Sequence, residues 1–257
     1  MTPPSSRCPF GECDGSGFVV DEATRTARDC RCRPLQIARR RARALQARIP
    51  PLYQDASFDR YPLNMLDRAT VDAVRGYIAA LPERLAAGRG IWFYGATGTG
   101  KTTLAMMVAK AALGEGRSVA IYSLPQLLKT LRSAIGRDGP AFDLLDELAR
   151  VELLVIDDFG SQYSTPWALE QIYLLVDGRY QNRQPIVTTS NLLPNELAEQ
   201  LSRFHADGGE PTAQERDSLQ LGRRIVSRLI EICGDPIWTG ERDLRIQYRP
   251  LLKDEVP

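Results

Sequence analysis

The 257-residue sequence contains no apolar run long enough to cross a bilayer, so we expect no transmembrane helix. Its first residues, MTPPSSRCPF, lack the apolar middle of a secretory signal. We also find no internal repeat and no low-complexity segment. The lack of a membrane span and of a secretory signal favours a cytoplasmic protein, in which thiols stay reduced and clustered cysteines more often hold a metal than form disulfides.

Lysine is scarce, since the chain has only four: Lys101, Lys110, Lys129 and Lys253. The formal net charge is +1, but arginines crowd between Arg25 and Arg48, in RCRP and ARRRARALQAR. Two interpretations of this crowding stay open. Either the genome favours arginine codons and these residues lie on a solvated helix face, or they form a local patch that binds a polyanion.

Composition divides the chain into three zones. Residues 1–34 hold four of the five cysteines and little else that could pack, so this zone needs a staple to fold. The apolar spacing in residues 35–50 predicts a basic amphipathic helix that is followed by a linker. The helix ends before the IPP sequence at 49–51, because proline disfavours helical geometry in the residue before it. Residues 51–257 are long enough for one large domain with a proper core.

The amino-terminal cysteines come in two close pairs. Cys8 and Cys13 lie in CPFGECDGSGF, and Cys30 and Cys32 lie in DCRCRP. Four thiolates separated by a hairpin-length spacer suit tetrahedral zinc. The alternatives are iron at the same thiolates or four ordinary thiols in a disordered arm. We expect the fifth cysteine, Cys233, in an apolar core, and the single histidine, His205, on the surface.

From Arg89 onward, apolar strands alternate with helices. The predicted strands are GIWFYG, SVAIYS, VELLVIDDFG and PIVTTSN, and the helices between them are TTLAMMVAKAAL, LPQLLKTLRSAI and TPWALEQIYLLVDGRYQN. Strands this apolar belong to a parallel sheet that is covered on both faces. The sequence therefore predicts an α/β fold.

The glycine-rich loop after the first of these strands has the spacing of a phosphate-binding loop. Its residues are Gly95, Ala96, Thr97, Gly98, Thr99, Gly100, Lys101 and Thr102. Glycines let backbone amides curl around phosphates, and the following helix points its positive end at them. Lys101 would neutralise the phosphates, and the Thr102 hydroxyl would ligate magnesium. The loop follows a strand and opens a helix, as this motif requires.

Polar residues follow two further strands. Asp157 could hold the magnesium shell, and Asp158 could orient the attacking water as a general base. The alternative is a pair of solvated loop carboxylates. Asn191 follows IVTTS, and because ligands lie beyond the carboxyl ends of parallel strands, it could reach the γ-phosphate or the water. Thr189 and Ser190 lie at the same strand end and are the alternative polar residues there, with no specific role assigned.

One arginine lies among apolar neighbours in GRRIVSRLIEIC, at Arg228. An ordinary surface arginine is the default interpretation. The alternative is an arginine delivered across a subunit interface, which is a known way to stabilise phosphoryl transfer.

These motifs, in this order, resemble AAA+ ATPases, and their details resemble the DnaC/DnaI helicase-loader and IstB-like branch over about residues 49–248. The segments that carry the resemblance are RIPPLYQDASFDRY, GIWFYGATGTGKTTLA, LLVIDDFG, GRYQNRQPIVTTSNL and RIVSRLIEIC. The resemblance implies a P-loop core of parallel strands flanked by helices, with little or no lid, and a small zinc-ribbon-like amino-terminal domain.

The resemblance also implies roles for individual residues. These are Walker A for Gly95 to Thr102, Walker B for Asp157 and Asp158, sensor 1 for Asn191, and an arginine finger acting on a neighbouring subunit's ATP for Arg228. Arg179 is typical of the branch, and its role stays open. Arg245 is the best candidate for a sensor 2 arginine.

The sequence departs from the family pattern in two places. The polar stretch between Leu197 and Leu221 predicts a flexible insertion, and the little sequence that follows ERDLRIQYRPLL predicts no full lid.

By resemblance, we expect an ATP-dependent DNA replication protein that loads the replicative helicase, using ATP, Mg²⁺ and Zn²⁺. Its expected partners are the replicative helicase, single-stranded DNA and, when ATP is bound, further copies of itself, with no membrane.

Turnover would be slow and partner-stimulated, because Asp158 is a methylene shorter than the more usual glutamate. An IstB-like transposition helper and an ATP-gated binding switch with little turnover are the alternatives, and a phage or mobile-element origin stays open.

Overall fold

The computed structural model describes residues 8, 10–21, 24, 26–33, 49–135, 141–160, 165–202 and 213–247. It forms two compact units, Met1–Gln46 and Ala47–Pro257. Residues 35–48 of the predicted basic helix and His205 lie outside the described residues. Within the described ranges, no helix has both the length and the apolar character that a bilayer span requires.

The first unit contains a two-stranded antiparallel hairpin, β1 (Phe18–Asp21) and β2 (Thr26–Asp29). Its strands are mostly exposed, so the hairpin by itself buries very little. The buried cluster of this unit is made of cysteines, with Val19 packed against it. A hairpin with so little apolar packing depends on what joins those cysteines.

The second unit is built on a five-stranded parallel sheet with the strand order β4-β5-β6-β3-β7. The strands are β3 (Ile91–Tyr94), β4 (Val119–Ser123), β5 (Leu153–Asp157), β6 (Ile186–Ser190) and β7 (Ile237–Trp238). Strand β6 is buried throughout, and β5 is buried in all but its last residue. The predicted parallel sheet with covered faces is therefore confirmed.

Nine helices surround this sheet within the described ranges: α1 (Arg68–Ala79), α2 (Leu81–Ala86), α3 (Lys101–Gly114), α4 (Leu124–Ile135), α5 (Ala141–Arg150), α6 (Pro166–Gln181), α7 (Pro194–Ser202), α8 (Ala213–Cys233) and α9 (Leu244–Gln247). Short 3₁₀ turns occupy Pro51–Tyr53 and Leu63–Met65. The aspartate and threonine that precede α1 and α6 cap them by accepting backbone N–H bonds. The sequence analysis assigned neither α1 nor α2.

Alternation along the strands divides the core into two apolar clusters. Leu154 and Ile156 of β5 face the cluster formed with α4 to α8, whereas Leu153 and Val155 face the cluster formed with α1, α2 and α3. This follows from the two-residue period of a strand. The sheet therefore holds helices on both faces and leaves the carboxyl ends of its strands for a ligand site.

The expectation of a flexible insertion between Leu197 and Leu221 is wrong at both ends. Helix α7 extends to Ser202, and α8 already begins at Ala213. Leu197 and Leu201, one helical turn apart, are fully buried in the core. The glycine and glutamate content of the stretch concealed this apolar spacing. Residues 203–212 lie outside the described residues.

The arginine whose role the resemblance left open, Arg179, is fully buried on α6. Its Nη1 donates to the carbonyls of Leu148 (2.5 Å) and Val151 (3.0 Å), and its Nη2 donates to Pro185 (2.6 Å). Burial lowers the pKa of Arg179 to about 9. This side chain therefore ties the end of α5 to the segment that leads into β6, at the sheet edge opposite the strand carboxyl ends.

Replacing Arg179 by methionine should destabilise the fold by about 3 kcal/mol, because three buried carbonyls lose their donor. The measurement is the urea unfolding midpoint. Arg150→Met is the matched control: its arginine lies on the neighbouring helix with a side chain that is 71% exposed, so we expect little change there. Equal midpoints for Arg179→Met and the unmodified protein would contradict this structural role.

Candidate nucleotide site and cysteine cluster

The glycine-rich loop joins β3 to α3, at the carboxyl edge of the sheet. Gly98 and Gly100 have φ angles of 81° and 87°, a region that favours glycine. A Cβ on Gly98 would lie only 1.9 Å from Oδ1 of Asp243. The loop therefore needs glycine at position 98 both for its backbone conformation and for the close approach of a neighbouring carboxylate.

Lys101 is the first residue of α3, and its side chain turns back into the loop. Its Nζ donates to the carbonyls of Gly95 (2.9 Å) and Ala96 (2.6 Å). Burial lowers the pKa of Lys101 to about 8. An ammonium that is partly removed from water gains more from an anionic phosphate than an exposed one would, so this placement suits the predicted role.

The predicted magnesium residues are already in contact. Thr102 Oγ1 donates to Asp157, at 3.0 Å from Oδ1 and 3.2 Å from Oδ2. This contact joins the start of α3 to the end of β5. A hydroxyl beside a carboxylate at the mouth of the phosphate loop presents two oxygen ligands of the kind that Mg²⁺ prefers.

Thr189 positions both acidic residues, a role that the sequence analysis missed. Its Oγ1 donates to Asp157 Oδ1 (2.7 Å) and accepts from the backbone N–H of Asp158 (2.8 Å). The parallel pairing of β5 with β6 sets Ile156 beside Thr188, so the next residues of the two strands meet at the sheet edge. The sequence signal was a threonine at the carboxyl end of a predicted strand, but the sequence did not show that this strand lies beside β5.

Asp158 adopts a left-handed conformation, with φ of 60°, which aspartate tolerates better than most residues. It lines the same cavity as Asn191, which follows β6 and is exposed. The structure thus brings the predicted base and the predicted sensor 1 residue to one opening, beside Lys101.

The cavity above the loop has a volume of about 630 Å³, within the range of small-molecule sites. One wall is formed by the loop and strand-end residues Thr97 to Thr103, Asp157, Asp158, Thr189, Asn191 and Arg245. A second wall was missed by the sequence analysis and consists of Leu52, Tyr53, Asp55, Ala56, Arg60, Tyr61 and Pro62. The aromatic and apolar residues of RIPPLYQDASFDRY were the sequence signal for this wall. They were missed because they follow neither strand nor helix periodicity.

A carboxy-terminal segment, residues 239–245, braces the loop from the other side. Thr239 Oγ1 lies 2.7 Å from Thr99 Oγ1, and the backbone N–H of Ala96 donates to Gly240 (3.0 Å). The N–H of Leu244 donates to Gly98 (3.1 Å). The loop is therefore held by direct bonds to the residues that follow β7 and to the first residue of α9.

Arg245 is the last residue of this bracing segment and lines the cavity, where a sensor 2 arginine would have to lie. Its Nε and Nη2 each lie 3.1 Å from an oxygen of Asp243. The hydrogen bond from Arg245 lowers the pKa of Asp243. The sensor 2 role itself stays a prediction.

Arg228 is not among the residues that line the cavity. It lies on α8, with Nε 2.5 Å from Asp177 Oδ1 on α6. Of the predicted site residues, the structure gathers the two Walker motifs, Asn191 and Arg245 in one place and leaves Arg228 apart. Action on a neighbouring subunit's ATP is compatible with this separation and stays a prediction.

In the first unit, the four predicted cysteine ligands form one cluster, with all sulfurs within 4.8 Å of one another. The Sγ atoms of Cys8 and Cys30 are 3.6 Å apart, and those of Cys13 and Cys32 are 3.4 Å apart. Both distances far exceed a disulfide bond, about 2.05 Å. Four sulfurs around zinc, each at about 2.3 Å, would lie about 3.8 Å from one another, so the cluster fits a tetrahedral ion.

The fold and the nucleotide site together define an ATPase of the AAA+ class. The chain belongs to the family of IstB-like ATP-binding proteins, whose family model matches residues 38–204. It is 30% identical over 197 residues to the replicative helicase loader DnaC of Escherichia coli K12, covering 74% of this chain and 68% of that protein.

A shorter similarity, 33% over 118 residues, relates the chain to y4uH of Sinorhizobium fredii, named as an insertion sequence ATP-binding protein. That match covers 46% of this chain and 44% of y4uH. Among solved structures, the chain is similar to DnaI (23% identity, TM-score 0.58, 74% of this chain and 93% of that one). It is also similar to DnaA of Aquifex aeolicus bound to AMPPCP (18%, 0.53, 76% and 52%). These structural likenesses establish the fold.

Replacing Thr189 by valine should lower ATP turnover by roughly tenfold to a hundredfold with little change in ATP affinity, because both acidic residues lose their anchor. Steady-state ATPase rates and equilibrium binding of a fluorescent ATP analogue separate the two effects. Thr188→Val is the matched control, because Thr188 also donates one buried bond, to Ile156 (3.0 Å), but is not among the residues that line the cavity. A similar loss of turnover in both variants would rule out the positioning role of Thr189.

Proposed function

We propose that this chain is an ATP-dependent loader of the replicative DNA helicase. The observation that carries the proposal is the similarity to the loader DnaC, which extends over 197 residues. The nucleotide site supports it, since the residues that would bind ATP and magnesium, Lys101, Thr102 and Asp157, line one cavity at the carboxyl edge of the sheet. The work of hydrolysis is then done on a macromolecular partner rather than on a small substrate.

The geometry supports a specific division of labour at the ATP site. The loop amides would hold the phosphates, and Lys101 would exchange its two loop carbonyls for phosphate oxygens. Thr102 and Asp157 would hold magnesium, which when bound neutralises charge on the β- and γ-phosphates. Asp158 would orient the attacking water, and Asn191 would contact the γ-phosphate or that water.

Two arginines would complete the site from different subunits. Arg245 already lines the cavity of its own chain and would act there as sensor 2. Arg228 lies outside that cavity and would reach ATP bound by a neighbour, which requires a homo-oligomer when ATP is bound. A short carboxylate base at Asp158 and an arginine supplied in trans together imply slow turnover that a partner stimulates.

We propose zinc as the metal of the cysteine cluster, because four sulfurs spaced for tetrahedral coordination are a common ligand set of structural zinc sites. We propose that it provides the packing that the small hairpin lacks and so maintains a docking surface for the helicase. The arginine-rich residues that follow would contribute contacts to the helicase or to single-stranded DNA.

A second candidate is a transposition helper that polymerises on duplex DNA and directs a transposase. The similarity to an insertion sequence ATP-binding protein favours it. The cysteine unit favours the loader. A third candidate, an ATP-gated switch with little turnover, would bind the same nucleotide but show a rate unaffected by Asp158→Asn.

The loader proposal predicts that the immobilised protein, with its cysteine unit intact, recovers the replicative helicase from its host, and that Cys30→Ser with Cys32→Ser abolishes both recovery and bound zinc. Mass spectrometry identifies the partner, and elemental analysis counts about one zinc per chain. Cys233→Ser is the matched control, since that half-buried thiol lies outside the cluster and donates to Ile186 (3.3 Å). Recovery of a transposase in place of the helicase would refute the loader and support the transposition helper.

A further inference from the structure

Three residues on one face of α6 surround the guanidinium of Arg228. Tyr173, Asp177 and Tyr180 follow one another at spacings of four and three, so they share that face. Arg228 Cζ lies 5.1 Å from the Tyr173 ring centre and 5.6 Å from that of Tyr180, and Nε lies 2.5 Å from Asp177 Oδ1. We call these three residues of α6 the arginine cradle.

The cradle is itself held in place by further contacts. Gln181 Nε2 donates to the second oxygen of Asp177 (2.8 Å), and the Tyr180 hydroxyl donates to Glu231 Oε2 (2.6 Å). Glu231 lies on α8, one turn beyond Arg228, so the two helices fix each other's side chains. The orientations of the carboxylate and of the Tyr180 ring are therefore set within a single subunit.

Asp177 contacts the Nε side of the guanidinium and leaves the Nη side available. Nε and Asp177 Oδ1 form an ion pair at 2.5 Å, not a hydrogen bond, and no hydrogen bond from Nη1 or Nη2 of Arg228 is found within the described part of the chain. The Arg228 side chain is 23% exposed. The paired Nη atoms are among the donors with which arginine binds a phosphate in bidentate fashion.

Arg179, on the same helix, shows the opposite arrangement. It is fully buried, and both of its Nη atoms donate to backbone carbonyls. Arg179 is therefore committed to the fold of its own subunit. Arg228 is oriented by its subunit but keeps its terminal nitrogens for another ligand.

We propose that Asp177 is a positioning residue for phosphoryl transfer, which aims Arg228 at the ATP of a neighbouring subunit before that subunit docks. This inference rests on the proposed function, in which Arg228 acts across the interface. An arginine has four rotatable side-chain bonds, and holding them in advance removes an entropy loss that would otherwise fall on assembly or on the transition state. The cradle thus acts through Arg228 and touches no nucleotide itself.

Mixed oligomers test this because they separate the two sides of one interface. Arg228→Ala subunits bind ATP but supply no arginine, whereas Lys101→Ala subunits supply Arg228 but lack the phosphate-binding lysine. Each variant alone should be nearly inactive, and an equal mixture should recover ATP turnover. The mixture establishes whether Arg228 acts in trans.

Asp177→Asn is then added to one partner of the mixture at a time. On the Lys101→Ala subunit, which supplies the arginine, it should lower the recovered rate by roughly tenfold to a hundredfold. On the Arg228→Ala subunit, where no arginine remains to be aimed, the recovered rate should stay about the same. Asp177→Glu on the arginine-supplying subunit should restore part of the loss. Asp146→Asn, an exposed aspartate of α5, is the control.

Each remaining outcome overturns the inference in a distinguishable way. Equal losses from both subunits would make Asp177 a structural residue, and the thermal unfolding midpoints of the variants would report that role. No loss from either subunit would show that Arg228 needs no positioning. A mixture that recovers no turnover would remove the trans role of Arg228 from the proposed function, and helicase recovery would still test the loader separately.

Discussion

The contact between the Thr102 hydroxyl and the Asp157 carboxylate is the interaction on which the nucleotide site depends. It joins the first turn of α3 to the end of β5 and so fixes the phosphate loop relative to the acidic strand. Thr189 extends the contact to β6 by donating to the same carboxylate. Three separate elements, α3, β5 and β6, therefore meet at the oxygen ligands proposed for magnesium. Hydrogen bonds between side chains hold these elements together at that point.

The loop is constrained from its other side by residues 239–245. Bonds from this segment reach Ala96, Gly98 and Thr99, and the Asp243 carboxylate occupies the space that a side chain at position 98 would need. Glycine in the phosphate loop thus serves two requirements, backbone conformation and close packing. Because Arg245 is the last residue of this segment, the segment that shapes the loop also carries an arginine that lines the cavity.

The sequence was sufficient for features that depend on local pattern. Apolar strands alternating with helices, glycine spacing and polar strand ends predicted the sheet and the position of the glycine loop and the two aspartates at its edge, because each is encoded within about ten neighbouring positions. Features that depend on distant pairing were missed. The role of Thr189 requires knowing that β6 lies beside β5, and the cavity wall of residues 52–62 has no period to read. Helix α1 was also missed, and α7 was concealed because its buried Leu197 and Leu201 stand among polar residues.

The magnesium dependence of nucleotide affinity is the most direct test of this site. Binding of a fluorescent ATP analogue should be tighter by about tenfold or more with Mg²⁺ than with chelator, and Asp157→Asn should abolish that gain while keeping the magnesium-free affinity. Asp158→Asn, proposed to orient water only, should keep the gain and serves as the control. An Asp157→Asn protein that still gains full affinity from Mg²⁺ would contradict a site built on the Thr102–Asp157 contact.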